Sequence, residues 1–159
     1  MSPRVEKALA YITQGEHVLL VRHPAHPEAG IQIPGGSVHA NELPAEAALR
    51  EAREETGLAD LSVVQLLGVA EFDMAPFGKA EVHTRHYFHL RFRGQSPESW
   101  RHEERDPSDG SKEPIPLELF WARFPSDVPP LIAGHGQFLR AAFMPSIPAL
   151  QQPPPSRRG

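Results

Sequence analysis

The fold is decided by residues 36–58, which read GSVHANELPAEAALREAREETGL. In this stretch Asn41 can cap a helix, Pro44 suits the first helical turn, and Gly57 is a typical stop signal. Small and apolar side chains recur at the spacing of a helix that buries one face: Ala45, Ala48, Leu49, Ala52 and Thr56. The sequence therefore predicts a helix that begins after Asn41 and ends at Gly57.

The polar side of this helix concentrates acidic residues. At 100° per residue, Glu51 and Glu55 lie about 40° apart and Glu54 about 60° from Glu51, so the three carboxylates fit within an arc of about 100°. They repel one another unless protons or a cation neutralise them. Hard divalent cations prefer oxygen ligands, and the flanking Arg50 can hold one carboxylate by a bidentate hydrogen bond. Helix geometry alone leaves open both a metal site and a solvated acidic face.

Strand-like segments flank the helix on both sides. The turn signal Gln14-Gly15 makes the first two strands a hairpin, and the third strand ends at Pro34-Gly35-Gly36. The predicted strands cover residues 5–13, 17–22, 31–33, 61–72, 84–93 and 117–124, and a short helix covers 136–144. Residues 94–116 are polar and contain prolines, which is typical of a long loop. This order of elements predicts an α+β fold with a mixed sheet between helices.

Composition excludes several classes of protein. The chain has 159 residues, 40% of them hydrophobic and 23% charged, which favours one globular domain over residues 1–150. No apolar run approaches the about 20 residues that span a bilayer, and the polar stretch from Met1 to Lys7 leads us to expect no signal peptide. The absence of cysteine excludes disulfides and thiolate zinc sites, and a net charge of −4 argues against tight nucleic-acid binding. We therefore expect a cytoplasmic protein with a disordered, proline-rich tail at 151–159.

The spacing of residues within 36–58 resembles the Nudix box. Gly36 is followed after five residues by Glu42 and, after seven more, by Arg50; the pattern then continues through Glu51, Glu54, Glu55, Gly57 and Leu58. The match is specific, although it covers only about a seventh of the chain. The resemblance implies a MutT-like Nudix hydrolase: an αβα sandwich with a mixed central sheet, which uses Mg²⁺ or Mn²⁺ to hydrolyse a nucleoside diphosphate linked to another moiety.

The resemblance also implies roles for single residues. Glu54 and Glu55 would bind the metal, and Glu51 would be a further ligand or the general base. Gly35 would offer its carbonyl oxygen to the metal, and Arg50 would orient a glutamate of the box by ion pairing. These five residues form the expected catalytic and metal-binding set.

Members of this family often take a further acidic residue from a distant loop. We favour Glu103 or Glu104 as a fourth ligand or base, with a solvated loop as the alternative. In the same segment, Trp100 could stack on a substrate base or pack in the core. Arg22 is the favoured phosphate contact, because the strand before the box borders the pocket in this family. The other arginines considered for this role are Arg85 and Arg91.

The expected function is thus that of a Nudix pyrophosphohydrolase on a nucleotide or nucleotide-sugar type of substrate. Sequence markers of the NADH, coenzyme A, ADP-ribose and dinucleoside polyphosphate subfamilies are absent, so the resemblance does not indicate the subfamily. The alternative is a catalytically silent Nudix-like domain that senses or binds a nucleotide. Many relatives are dimers, and a homodimer is therefore possible.

Overall fold

The computed structural model of the protein describes residues 2–104 and 113–144. They form seven strands and two α-helices. The strands are β1 (Arg4–Gln14), β2 (His17–Arg22), β3 (Gly35–Ser37), β4 (Leu61–Asp73), β5 (Val82–Phe92), β6 (Ser99–Glu104) and β7 (Ile115–Arg123); the helices are α1 (Pro44–Thr56) and α2 (Leu139–Ala142). Short 3₁₀ turns cover Pro27–Ala29 and Ala75–Phe77.

The strands form one mixed sheet in the order β4-β5-β1-β2-β7-β6, with β3 paired to β1 beside this path. The predicted hairpin is present as β1 and β2, which pair antiparallel. The long first strand runs parallel to β5 over ten residue pairs, from Arg4–Val82 to Thr13–Arg91, while the other ladders are antiparallel. The predicted α+β class with a mixed central sheet is confirmed.

Alternation along the strands gives the sheet two buried faces, as period-two patterning requires. One face packs beneath α1 and includes Ala8, Ile12, Phe88, Leu90 and Leu119. The other face includes Leu9, Tyr11, Leu20 and Tyr87, and it packs against Leu139 of α2 and the segment before it. The sheet therefore lies between two helical layers, as the αβα expectation requires.

The predicted strand at 31–33 is wrong. Only Gln32 bridges Val21 there, because the neighbouring backbone groups bond elsewhere. The Ile33 N–H donates to His135 Nδ1 (3.0 Å), and the Ile31 carbonyl accepts from the N–H of Ile132 (3.0 Å). The third strand instead begins at Gly35, within the segment that the sequence predicted to be a turn.

The helix is confirmed, but its predicted cap is wrong. Asn41 has φ = 66°, a left-handed conformation that belongs to the preceding turn. Leu43 occupies the N-cap position with extended backbone, and its N–H is bound by the Glu46 carboxylate at 2.9 Å. Gly57 ends the helix as predicted, with φ = 76°.

The predicted long loop at 94–116 is wrong over its central part. Residues Ser99–Glu104 form β6, because their backbone pairs with β7 from Ser99–Phe120 to Glu104–Ile115. Residues 105–112 of the same prediction lie outside the described residues, as does the predicted tail at 151–159. The predicted helix at 136–144 is shorter than expected, since only Leu139–Ala142 is helical. In the described part of the chain, no helix is long and apolar enough to cross a membrane.

Candidate active site

The site is built where β3 runs beneath α1. A Cβ atom on Gly36 would lie 2.3–2.5 Å from the carboxyl group of Glu51, so only glycine leaves room for that side chain. At the preceding position, the Gly35 N–H donates to Glu55 Oε2 at 3.2 Å. The two glycines therefore let the strand approach the helix closely enough to contact two of its carboxylates.

Arg50 holds one group of acidic side chains together, which we call the Arg50 cluster: Arg50, Glu42, Glu51 and Glu54. Its guanidinium is bidentate to Glu42, with Nε–Oε2 at 2.8 Å and a second bond of 3.0 Å to Oε1. It also reaches Glu51 Oε2 at 2.8 Å and Glu54 Oε1 at 3.3 Å. A further bond of 2.9 Å to the Ser37 carbonyl ties the helix to β3. The arginine thus contacts three glutamates of the box, and the orienting role that the resemblance implies for it stays a prediction.

Three carboxylates form a second group, the carboxylate triad: Glu51, Glu55 and Glu104. One carboxylate oxygen of each lies within 4.8 Å of the other two. Glu51 and Glu55 are buried, with 5% and 8% of their surface exposed. Two unit charges at this separation repel by about 3 kcal/mol at the effective dielectric of a protein site. The triad therefore requires protons or a cation.

The two groups shift the pKa of their members in opposite directions. The hydrogen bonds from Arg50 lower the pKa of Glu42 to about 2. Burial raises the pKa of Glu51, and burial together with the charges of Glu104 and Glu51 raises that of Glu55 well above its usual range. Without a cation, both carboxyl groups therefore hold a proton more readily than a free glutamate does.

The triad fits a hard divalent cation. It offers oxygen atoms alone, which Mg²⁺ and Mn²⁺ prefer. An octahedral Mg²⁺ separates opposite ligands by about 4.2 Å, close to the 4.8 Å that bounds the triad. The positive charge of the ion would offset the repulsion between the three carboxylates.

Strand β6 brings Glu104 to the helix. Its side chains alternate, so Trp100, His102 and Glu104 share the face towards α1. The Trp100 Nε1–H donates to the Thr56 carbonyl at 2.9 Å, and His102 Nε2 donates to that of Glu54 at 2.9 Å. Both acceptors are in the last turn of the helix, where carbonyls lack partners within the helix. Two side chains therefore attach β6 to α1.

The remaining predicted residues are not members of the triad. Glu103 points to the opposite face of β6, beside Pro116. Glu54 is outside the triad, and its side chain is 40% exposed beside Arg50. Arg22 pairs with Glu118 at 3.1 Å and stacks over Phe120. Their predicted roles, as metal ligands for the two glutamates and as a substrate contact for Arg22, stay predictions.

Trp100 packs against the core face beneath α1, which is the alternative that the sequence left open. Its position gives no support to a substrate contact, although it lies close to the metal-binding candidates. The predicted role in substrate binding therefore stays untested.

A cavity of about 430 Å³ opens beside Gly35 and Gly36. Three cationic side chains line it. Arg85 was among the arginines considered as phosphate contacts from the sequence, whereas Lys7 and Lys79 were not. A buried histidine, His135, lines it as well, and no sequence pattern pointed to that residue. These residues come from β1, the β4–β5 connection, β5 and the segment before α2, so only the folded chain brings them together.

Comparisons with known proteins bear on the family and the fold of this chain. The family model for the NUDIX domain matches residues 3–130. A MutT NUDIX hydrolase from Burkholderia pseudomallei is 27% identical, with a TM-score of 0.58; the match covers 86% of this chain and 96% of that one. A UDP-X diphosphatase is 23% identical (TM-score 0.57) over 89% of this chain and 62% of its own length.

A third solved structure is a bifunctional NMN adenylyltransferase/ADP ribose pyrophosphatase from Francisella tularensis, complexed with AMP and a Mn ion. It is 19% identical with a TM-score of 0.54, and the match covers 89% of this chain and 41% of that one. Both of these last likenesses concern the fold, and this chain spans only part of either protein. With its box, its fold and the family model in agreement, the chain belongs to the NUDIX family and is a Nudix hydrolase, as its sequence predicted.

Proposed function

We propose that this hydrolase cleaves a pyrophosphate bond in a nucleoside diphosphate linked to another moiety, with Mg²⁺ or Mn²⁺ as its cofactor. The observation that carries the proposal is the carboxylate triad: two buried glutamates and a third one from β6, with one oxygen of each within 4.8 Å of the others. A cluster of this charge is stable at neutral pH only with protons or a cation.

The proposed ligands are Glu51, Glu55 and Glu104, together with the carbonyl oxygen of Gly35. When bound there, a divalent cation would supply charge stabilisation at the phosphate oxygens and lower the pKa of a water. Glu54 lies next to the triad in the last turns of α1 and is a further proposed ligand. Because Arg50 bonds to Glu51, Glu54 and the Ser37 carbonyl, it fixes the positions of the carboxylates before any ligand arrives.

The chain supplies a base for the attacking water. A water oxygen forms a bond to one phosphorus, the bond from that phosphorus to the bridging oxygen breaks, and two phosphate monoesters leave. The proton of the water passes to Glu51 or Glu104, which are two of the three candidate bases that the sequence left open; the third is Glu103. Lys7, which hydrogen-bonds to Ser37 Oγ at 3.1 Å and lies within electrostatic reach of Glu51, is positioned to contact a phosphate oxygen.

The substrate panel follows from the relatives. One structural neighbour is named as a UDP-X diphosphatase and another as an ADP ribose pyrophosphatase. UDP-sugars and ADP-ribose are therefore the first compounds to test. Nucleoside triphosphates, oxidised nucleotides, dinucleoside polyphosphates, NADH and coenzyme A complete the panel. Phosphate-containing products are separated by chromatography after incubation with Mg²⁺, with Mn²⁺ and with EDTA.

The test uses Glu55→Gln with a matched control on the same helix, Glu46→Gln. Glu46 is exposed, and glutamine preserves its bond to the Leu43 N–H. We expect metal-dependent cleavage of at least one compound by the wild type and by Glu46→Gln, and its loss in Glu55→Gln. A wild type that binds nucleotides but cleaves no compound would favour the silent binding domain, and equal turnover by Glu55→Gln would remove the triad from the mechanism.

A further inference from the structure

The cavity beside Gly35 and Gly36 is walled partly by the segment 132–135, which precedes α2. Two buried side chains hold this segment in place from the sheet. Tyr11 donates its hydroxyl proton to the His135 carbonyl at 2.5 Å, and Arg85 hydrogen-bonds to the Ala133 carbonyl. The segment is thus a fixed wall of the cavity rather than a loop that lies over it.

His135 presents a hydrogen-bond donor in this wall. The Ile33 backbone N–H donates to His135 Nδ1 at 3.0 Å, and a backbone N–H cannot accept. Nδ1 is therefore unprotonated, and the ring proton resides on Nε2. Burial holds the pKa of His135 at about 3, so the ring stays neutral throughout the physiological range.

The Nε2–H has no protein partner among residues 2–104 and 113–144, although the residue is only 9% exposed. A buried donor without a partner is costly, by roughly 1–3 kcal/mol. The cost is removed when an acceptor atom of a ligand occupies the cavity. The position of His135 in the cavity wall makes a bound ligand the natural source of that acceptor.

The other side chains of the cavity indicate the class of ligand. Leu9, Ile33, Met74 and Ile132 supply apolar walls. Phe77 also lines the cavity and remains 44% exposed, which places an aromatic ring where a flat group could stack on it. A planar ring that carries acceptor atoms matches these walls and the free donor better than a sugar hydroxyl group, which would not use the aromatic surface.

We propose that the cavity binds the nucleobase of the substrate, and that His135 is a specificity-determining residue that donates its Nε2–H to a carbonyl oxygen or an unprotonated ring nitrogen of that base. This inference rests on the proposed function for its substrate, since the cavity adjoins the site through Gly35 and Gly36. It concerns binding, however, and has readouts that do not require turnover.

The experiment compares His135→Asn with the control His89→Asn. The asparagine Oδ1 at position 135 retains an acceptor for the Ile33 N–H but places no donor at the position of Nε2. His89 is a buried histidine on β5 that bonds to Thr13 at 2.7 Å, outside this cavity. The probes are AMP, GMP, UMP and CMP, with ribose 5-phosphate as the ligand without a base, all measured by calorimetry in the presence of Mg²⁺.

We expect the wild type and His89→Asn to bind at least one nucleotide more tightly than ribose 5-phosphate. In His135→Asn, the ratio of the two dissociation constants should be about tenfold smaller. Binding of ribose 5-phosphate should be equal in all three proteins. The Nε2–H resonance of His135 should be present in ¹H–¹⁵N spectra and should shift with the preferred nucleotide, but not with ribose 5-phosphate. Circular dichroism checks that each variant is folded.

An unchanged nucleotide preference in folded His135→Asn would overturn the proposal, as would a wild type that does not distinguish nucleotides from ribose 5-phosphate. These failures are distinct from failure of the proposed function. If the wild type hydrolyses a pyrophosphate while His135→Asn has the same KM, only this inference fails. If no substrate is cleaved but the nucleotide preference depends on His135, only the proposed hydrolysis fails.

Discussion

Two groups of carboxylates share helix α1, and the protein treats them in opposite ways. In the Arg50 cluster, Glu42 is paired by two hydrogen bonds to a guanidinium, and its pKa falls to about 2. In the carboxylate triad, Glu55 is buried with no lysine or arginine bound to it among the described residues, and its pKa rises. The first arrangement stabilises the fold without help, whereas the second is stable only with a proton or a cation.

Glu51 belongs to both groups and connects them. It accepts a bond from Arg50 at 2.8 Å and lies beside Glu55 and Glu104 in the triad. The Arg50 cluster therefore fixes the position of Glu51 within the triad. The two groups differ in environment, because Arg50 pairs with Glu42 whereas burial raises the pKa of Glu55, and a raised pKa of this kind marks a candidate functional residue.

The largest expected effect comes from Glu54→Gln, which decides to which group Glu54 belongs. If Glu54 acts with the triad as a metal ligand, turnover should fall by about 10²-fold or more. The melting temperature should hardly change, since the side chain is 40% exposed and its bond to Arg50 is long, at 3.3 Å. Steady-state kinetics with Mg²⁺ and a circular dichroism melt give both numbers. Unchanged turnover would assign Glu54 to the Arg50 cluster alone.

The next effect concerns metal and pH together. Since burial raises the pKa of Glu51 and Glu55 in the folded state, deprotonation favours the unfolded chain, and the metal-free protein should lose stability as pH rises above the usual glutamate range. Saturating Mg²⁺ or Mn²⁺ should then raise the melting temperature by about 5 °C at pH 8 and by less at pH 5. Glu55→Gln should show almost no rise. A rise of equal size in Glu55→Gln would place the ion elsewhere.

The sequence predicted α1 and the residues of the Nudix box, because both depend on the spacing of residues that are close together in the sequence. It did not reveal β6, whose residues Ser99–Glu104 are polar except for Trp100 and form a strand by pairing with β7. For the same reason, it could not choose between Glu103 and Glu104: alternation on a strand directs Glu104 to the helix, and a loop has no such alternation.

The cavity could not be predicted from the sequence for a different reason. His135 and Ile33 are 102 positions apart, and their hydrogen bond replaces a ladder bond in the predicted strand at 31–33. Arg85 is a buried cation on β5, and two of its partners are distant in sequence: the Met74 sulfur after β4 and the Ala133 carbonyl before α2. Local patterns contain no signal for contacts of this range, so the sequence predicted the metal-binding candidates and missed most of the candidate substrate cavity.

A third effect tests the paired side of the comparison. Because Arg50 depresses the pKa of Glu42, the stabilisation from this carboxylate is present above the unfolded-state pKa, near 4.5, and is lost as pH falls towards about 2. Glu42→Gln should therefore cost about 2 kcal/mol in the free energy of unfolding at pH 7, allowing for solvent screening. Urea unfolding at pH 7 and at pH 3 measures the difference between wild type and variant. A difference that does not shrink at pH 3 would contradict the assigned charge pairing.

The smallest effect concerns the attachment of β6 to the helix. Trp100→Phe retains an aromatic ring against the core but removes the Nε1–H bond to the Thr56 carbonyl. The matched control is Trp121→Phe on β7, which removes a bond of 2.8 Å to Ser96 rather than a bond to α1. Each change should lower the free energy of unfolding by about 1 kcal/mol.

Only Trp100→Phe should also weaken metal binding, by a few-fold, because it loosens the strand that carries Glu104 to Glu51 and Glu55. Titration of Mn²⁺ followed by calorimetry compares the two variants at equal folded fraction. Equal metal affinity in both would show that Glu104 is held in the triad without help from Trp100, for example through the bond from His102 to the Glu54 carbonyl. A weaker affinity in both would mean that the triad responds to global stability rather than to the position of β6.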